Sequence, residues 1–190
     1  MNSLPAWTLV PAGPEDLEAV VELKALVMRA DLERLGRWCP ERSRERVRKS
    51  FSTRHTSLLL VEGAFAGCVT VRPDDRGGRH LELFYLAPHL QGRGLGGAVL
   101  RHLLAEADAA REPVHLVVLR GSAARRLYER HGFAVVHEDP VDVTMLREPA
   151  PTAAPPPSPR AVSSRSAPSP GRSTRSARPP RSGTPASCGA

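Results

Sequence analysis

The sequence of 190 residues has only two lysines (Lys24 and Lys49), only three cysteines, and no apolar run approaching the 18 residues needed to cross a bilayer. The missing run excludes a helical membrane span and leads us to expect a soluble protein with no membrane partner. Cys39, Cys68 and Cys188 are odd in number and form no CxxC pair, which excludes a disulfide framework and a cysteine-based zinc site and suits a reducing compartment. Met1 to Trp7 shows no basic stretch leading into an apolar one, so the expected location is the cytoplasm. The seven histidines, at 55, 80, 89, 102, 115, 131 and 137, contain no HExxH and no paired ligand spacing, and no metal is expected.

A second set of absences divides the chain. Residues 149–190 have no acidic residue and no Leu, Ile, Phe, Tyr or Trp, while holding 11 of the 19 prolines, nine serines and six arginines. Such a stretch buries too little apolar area to offset the entropy of ordering it. We therefore expect a folded domain over 1–148 and a disordered tail over 149–190, the tail being either a basic tether for acidic surfaces or a passive extension. The formal charge of +7 is concentrated there, since the residues before it hold 21 basic against 20 acidic side chains. A nearly neutral domain argues against a nucleic-acid partner.

What the domain does contain is an alternation of extended and helical segments. Trp7 to Val10 is a short strand, and Pro14-Glu15-Asp16 opens a helix with proline in the first turn and acids at the positive end of its dipole. Glu41 to Phe51 is a second, highly charged helix. Residues Ser57 to Val61, Ala64 to Val71 and His80 to Leu86 are strands joined by turns at Glu62-Gly63 and Pro73 to Gly78, an antiparallel meander. A helix over Gly94 to Ala110 carries a stripe of Leu95, Val99 and Leu103. After it come a strand at Val114 to Leu119, a helix at Ser122 to Arg130, and closing strands at Phe133 to Val136 and Val141 to Leu146, the last expected at an exposed edge where a homodimer could pair. The order βααβββαβαββ predicts an α+β fold, a mixed and mostly antiparallel sheet flanked by helices.

The chemistry concentrates at Gln91-Gly92-Arg93-Gly94-Leu95-Gly96-Gly97, between a strand and a helix. Four glycines in six positions remove side chains where a backbone must approach a ligand closely, and a helix starting there aims free N–H groups at an anion. A Walker loop is excluded because Gly96-Gly97-Ala98 lacks the GK[ST] ending. A dinucleotide fingerprint is excluded because the preceding strand belongs to a meander and Val114 to Leu119 carries no acid.

Gln91-x-x-Gly94-x-Gly96, preceded by Tyr85-Leu86-x-Pro88, resembles the acetyl-CoA signature of the GNAT superfamily of N-acyltransferases. Ala124-Arg125-Arg126-Leu127-Tyr128-Glu129-Arg130-His131-Gly132-Phe133 resembles that family's second signature, A-x-x-L-Y-x-x-x-G-F. The resemblance covers Trp7 to Leu146. It implies an N-acetyltransferase using acetyl-CoA as co-substrate, with direct transfer to an amine of a small molecule or protein; the alternative is a non-catalytic acyl-CoA sensor. It further implies that two neighbouring strands splay to admit the pantetheine arm. The Leu86 N–H is then the oxyanion donor, the backbone of Gln91, Gly92, Arg93, Gly94, Leu95, Gly96 and Gly97 the pyrophosphate site with Arg93 as cationic partner, and Tyr128 the proton donor to the departing thiolate. Where the family commonly has asparagine, this chain has Gly121, so that any role of the amide is filled by Ser122 or is absent.

Only a neutral amine attacks a thioester, so a base is useful. Strand alternation predicts that Glu82 shares a face with His80, Phe84 and Leu86. Glu82, a charge inside an apolar run, is the expected general base, acting through water, and His80 the second choice. Glu82 otherwise reads as a polar residue on a partly exposed face, and Tyr128 as packing. Nine basic against four acidic residues between Arg29 and Arg54 read as a solvated face, an acidic-substrate site or support for the CoA phosphates.

Overall fold

The computed structural model describes residues 4–150. The expected tail from residue 151 onward, and Cys188 with it, lies outside the described residues.

Strand β1 (Trp7–Pro11) leads through a turn of 3-10 helix at Pro14–Asp16 into α1 (Leu17–Arg34), and α2 (Pro40–Ser50) follows. Gly13 N–H is held by Asp16 Oδ2 at 2.8 Å, which fixes the entry to α1. Gly36, at φ +63°, stops it, with Arg37 N–H donating back to Leu32 C=O at 2.7 Å. Strands β2 (Thr56–Val61), β3 (Ala64–Pro73) and β4 (Arg79–Leu86) form the meander. Helix α3 (Leu95–Ala110), β5 (Val114–Leu119), α4 (Ala124–Arg130), β6 (Ala134–Glu138) and β7 (Asp142–Arg147) complete the element order read from the sequence.

One seven-stranded sheet runs in the order β1-β2-β3-β4-β5-β7-β6, antiparallel at every pair except β4 with β5. On one face α3 and α4 bury Leu100, Leu104 and Tyr128, with Phe133 just after α4, against Leu81, Leu116, Val143 and Met145. On the other face α1 and α2 bury Val20, Val21, Leu23 and Val47 against Leu58, Cys68 and Leu83. Each such side chain contributes about 1.5–3 kcal/mol, and the two layers hold the sheet rigid around the one place where it opens.

That opening lies between β4 and β5. Their ladder covers only Arg79–Leu81 against Val114–Leu116, after which the strands diverge. The edge assignment made from the sequence is corrected: β7, holding residues 142–147, is inserted between β5 and β6, so its backbone is paired on both sides. The edge belongs to β6, whose five residues are all exposed. A hairpin can dock by either of its strands, and the apolar alternation of Val143 and Met145 is what draws β7 inward.

The domain ends firmly. Arg147 grips Asp108 with two bonds of 2.7 and 2.8 Å, and the Ala150 N–H adds a third at 2.8 Å. These bonds, led by the guanidinium, hold the Asp108 carboxyl below its ordinary range.

Candidate active site

A cleft of about 1360 Å³ passes through the gap between β4 and β5. It is lined by the glycine loop and α4 at one mouth and by α1, α2 and the β6–β7 turn at the other.

At the first mouth the backbone does the work. Gly92 and Gly94 have φ of +72° and +85°, and almost nothing lies where a side chain would project from them. Gly94 caps α3, and the first intrahelical acceptor is the Gly94 carbonyl, taken by Ala98 N–H at 3.1 Å. The N–H groups of Leu95, Gly96 and Gly97 therefore precede the ladder, unpaired within the helix and at its positive end. Gly96 has a second reason to be glycine: a Cβ there would lie 3.2 Å from Leu86 and 3.5 Å from Leu127, inside the gap.

The residues named from the sequence divide by how they meet this cleft. Gln91, Gly92, Gly94, Gly96, Gly97, Leu86, Ser122, Glu82 and Tyr128 line it. Leu95 offers only backbone, its side chain being buried with Leu59, Ala66 and Val99. Arg93 is exposed and outside the lining. Gln91 Nε2 donates to the Leu86 carbonyl at 2.8 Å and so ties the loop to the end of β4. Ala87 N–H bonds to Ala66 C=O of β3 at 2.8 Å. Successive amides along a strand point to opposite edges, so the Leu86 N–H faces the opening, as does the carbonyl that Gln91 reaches.

Strand β4 is not regular. Cys68 pairs with Tyr85 and Thr70 with Glu82, so Leu83 and Phe84 together oppose the single residue Val69. Leu83 has φ +50°, an uncommon conformation for a side chain of this size. Cys68 Sγ–H donates to the Leu83 carbonyl at 3.1 Å and stabilises the bulge; burial pushes this thiol up to about 12, keeping it a neutral donor.

The bulge corrects the predicted face of Glu82. Phe84 and Leu86 pack on the α3 side, whereas Leu83 and Tyr85 pack on the α1–α2 side together with Glu82, which meets Ser50 at the end of α2. Ser50 Oγ donates to Glu82 Oε2 at 2.7 Å, and Arg72 Nε bonds to Oε1 at 2.6 Å. The side chain is 17% exposed. Arg72 pairs in register with His80, two residues from Glu82, the diagonal neighbour that a hairpin register would have revealed. His80 also lines the cleft, but Asp74 Oδ2 is 3.4 Å from its Nδ1. The Arg76 N–H foremost, with His115 and His80 adding to it, holds the Asp74 carboxyl below its ordinary range.

Tyr128 stands on α4 against the edge of Phe133, ring centres 5.6 Å apart, and burial pushes its phenol up, so that it remains protonated. Its hydroxyl has no hydrogen-bond partner among the described residues. Gly132, at φ +86°, ends α4, with Phe133 N–H reaching back to Tyr128 C=O at 3.1 Å. Gly121, at φ +77°, occupies a left-handed turn over which the Arg34 guanidinium lies, 3.1–3.3 Å from where a Cβ would be, while Arg34 Nη2 donates to Arg120 C=O at 2.7 Å. Ser122 Oγ accepts from Ala124 N–H at 3.3 Å, an ordinary turn contact.

Three cleft groups were not foreseen. Lys24 is buried, donating Nζ–H to Ser43 C=O at 3.0 Å, and burial followed by the charge of Arg46 lowers its pKa to about 8. Tyr85 faces α2, its phenol pushed up by burial. Asp139 in the β6–β7 turn accepts from Val141 and Asp142 N–H. No helix among the described residues is long and apolar enough to cross a membrane, and none of their His, Cys, Asp and Glu side chains cluster as a metal site.

Residues 53–135 match a family model described as an acetyltransferase (GNAT) domain. No curated protein matches the sequence. Among solved structures the chain is similar to the PaiA N-acetyltransferase of Thermoplasma acidophilum in complex with coenzyme A, at 17% identity and a TM-score of 0.61 over 75% of this chain and 99% of that one. It is similar to the ribosomal-protein-S18-alanine N-acetyltransferase of Escherichia coli, at 19% identity and 0.57 over 78% and 97%. An acetyltransferase of Thermus thermophilus matches at 20% identity and 0.60 over 75% and 97%. The fold is thus that of the GNAT acetyltransferases.

Proposed function

We propose that this chain, with a GNAT acetyltransferase domain matched at residues 53–135 and the GNAT fold around it, is an N-acetyltransferase that moves an acetyl group directly from acetyl-CoA to a primary amine bound in the same cleft. The observation that carries the reading is the divergence of β4 from β5 after Leu81 and Leu116, with the glycine loop at one mouth of the gap and Tyr128 among the residues that line it. The residues present fit the co-substrate: an open glycine cradle at a helix start for a pyrophosphate, and an unpaired strand edge for an extended amide-bearing arm.

Acetyl-CoA, when bound, supplies an activated acetyl thioester. The amides at the start of α3 hold its phosphates, and Gln91 fixes the loop against β4. The Leu86 N–H donates to the thioester carbonyl oxygen where negative charge develops. Glu82, held by Arg72 and Ser50, takes the proton lost by the amine through water as the N–C bond forms. Tyr128, kept protonated by burial, gives its proton to the sulfur as the C–S bond breaks, and the proton is restored from solvent. Arg93 plays no part beyond its backbone. The chain through the Ala150–Asp108 bond suffices for the activity, and residues 153–190 are dispensable.

The test is amine-dependent release of free thiol from acetyl-CoA. We expect release above the hydrolytic background with at least one amine of a panel spanning amino acids, diamines and peptides. A protein that binds acetyl-CoA yet releases no thiol with any of them would be a binding module instead.

A further inference from the structure

The acceptor mouth of the cleft is cationic, and two of its arginines have no internal partner. Along α2, Arg42, Arg46 and Lys49 are spaced i, i+4, i+7 and line the cleft, with Arg37 preceding the helix. Arg44 and Arg48 of the same helix turn the other way and pair with Glu18. Lys49 has an exposed partner in Glu45 at 3.7 Å. Arg42 and Arg46 have no hydrogen bond or ion pair among the described residues. Arg46 acts electrostatically on both Lys24 and Tyr85, which places its charge inside the cleft beside a second, buried cation.

The acids of this mouth are largely engaged. Asp31 pairs with Arg34 at 3.1 Å, Glu82 with Arg72 and Ser50, and Asp139 with two backbone N–H groups. Asp142, at the start of β7, is the remaining one. Unpaired like charges crowded into a cleft raise the energy of the free protein and are relieved by an anion. The phosphates of the co-substrate are poorly placed to be that anion, because α2 packs on the sheet face opposite the one that α3 and its glycine loop cover.

We propose that the acceptor is a small amine that itself carries an oxyanion, a carboxylate or a phosphonate, bound by Arg42 and Arg46 so that its amino group comes under Glu82. This rests on the acetyl-transfer reading above. A guanidinium meets such groups through two parallel N–H···O bonds, so a neutral amide in place of the anion forfeits both charge and fork geometry.

The experiment compares kcat/KM for matched acceptors: an amino carboxylate, its phosphonate analogue, its carboxamide, and a diamine of equal length. We expect the anionic acceptors to exceed the carboxamide at least about tenfold and the diamine by more, the carboxylate-to-phosphonate ratio identifying the preferred oxyanion. In Arg42→Gln/Arg46→Gln the ratio of carboxylate to carboxamide should fall toward one, whereas Arg44→Gln/Arg48→Gln, with the same charge change on the same helix, should keep it. Equal or better turnover of the carboxamide or diamine by the unmutated protein overturns the proposal and leaves acetyl transfer standing. So does a rise in KM for acetyl-CoA rather than for the acceptor in Arg42→Gln/Arg46→Gln. Absence of thiol release with every acceptor defeats acetyl transfer and this inference with it.

Discussion

The two mouths of the cleft are built from different materials. Around the start of α3 the ligand surface is backbone, glycines at left-handed φ and unpaired N–H groups, with side chains such as Leu95 turned away into the core. Around α2 it is side chain, with long cations, a buried lysine and a carboxylate bridged to a neighbouring strand and helix. A backbone site constrains residue type strongly, because only glycine tolerates those torsions and close approaches. A side-chain site constrains only charge and reach. The first mouth suits an invariant ligand, and the second can be rewritten for a new acceptor without disturbing the first.

Five substitutions and a deletion sharpen that contrast, in decreasing order of expected effect. Glu82→Gln and Tyr128→Phe should each lower kcat by about a hundredfold or more, the usual loss for a general base or acid, while acetyl-CoA affinity measured by calorimetry stays within about twofold; an unchanged kcat would remove these residues from the mechanism. Gly96→Val, which fills the gap between Leu86 and Leu127, should weaken acetyl-CoA binding by about a hundredfold, equivalent to about two lost bonds to a charged group. If affinity survives, the co-substrate does not lie in the gap.

Lys24 gives a pH signature to the other mouth. Its folded pKa of about 8 lies below the ordinary 10.5, so above pH 8 the unfolded chain holds the proton that the folded chain has released, and stability rises with pH. The Lys24 contribution should reach about 1 kcal/mol between pH 8 and 9, and because the buried Cys68 thiol, pushed up to about 12, opposes it over the same range, the difference from Lys24→Met isolates it. Chemical denaturation of the unmutated protein and Lys24→Met over that range should differ in slope; parallel curves would mean that Lys24 is freely hydrated. Gly121→Asn should cost about 1 kcal/mol, because the new Cβ meets the Arg34 guanidinium and loosens its bond to Arg120 C=O. Deleting residues 153–190, beyond the last bond at Ala150, should leave kcat and melting temperature unchanged.

The same contrast explains what could be read in advance. The element order, the glycine loop and the Tyr128 to Phe133 segment were legible because they follow from periodicity and residue type at fixed spacing. The face of Glu82 was not, because the bulge at Leu83 places a leucine where φ is positive and no local signal marks it. The inward position of β7 depends on which strand of a hairpin meets β5, a choice made by packing over a long range. The cover that Arg34 gives Gly121 joins residues far apart in the chain. Charge in α2 was visible, but which arginines face the cleft is set by the orientation of that helix on the sheet.

Whether acetyl-CoA binds in the gap between β4 and β5 is decided by calorimetric titration of acetyl-CoA into the purified protein. One site per chain with micromolar affinity is expected, weakened about a hundredfold in Gly96→Val; an absence of binding up to high micromolar concentration would rule out an acetyl-CoA site in this chain.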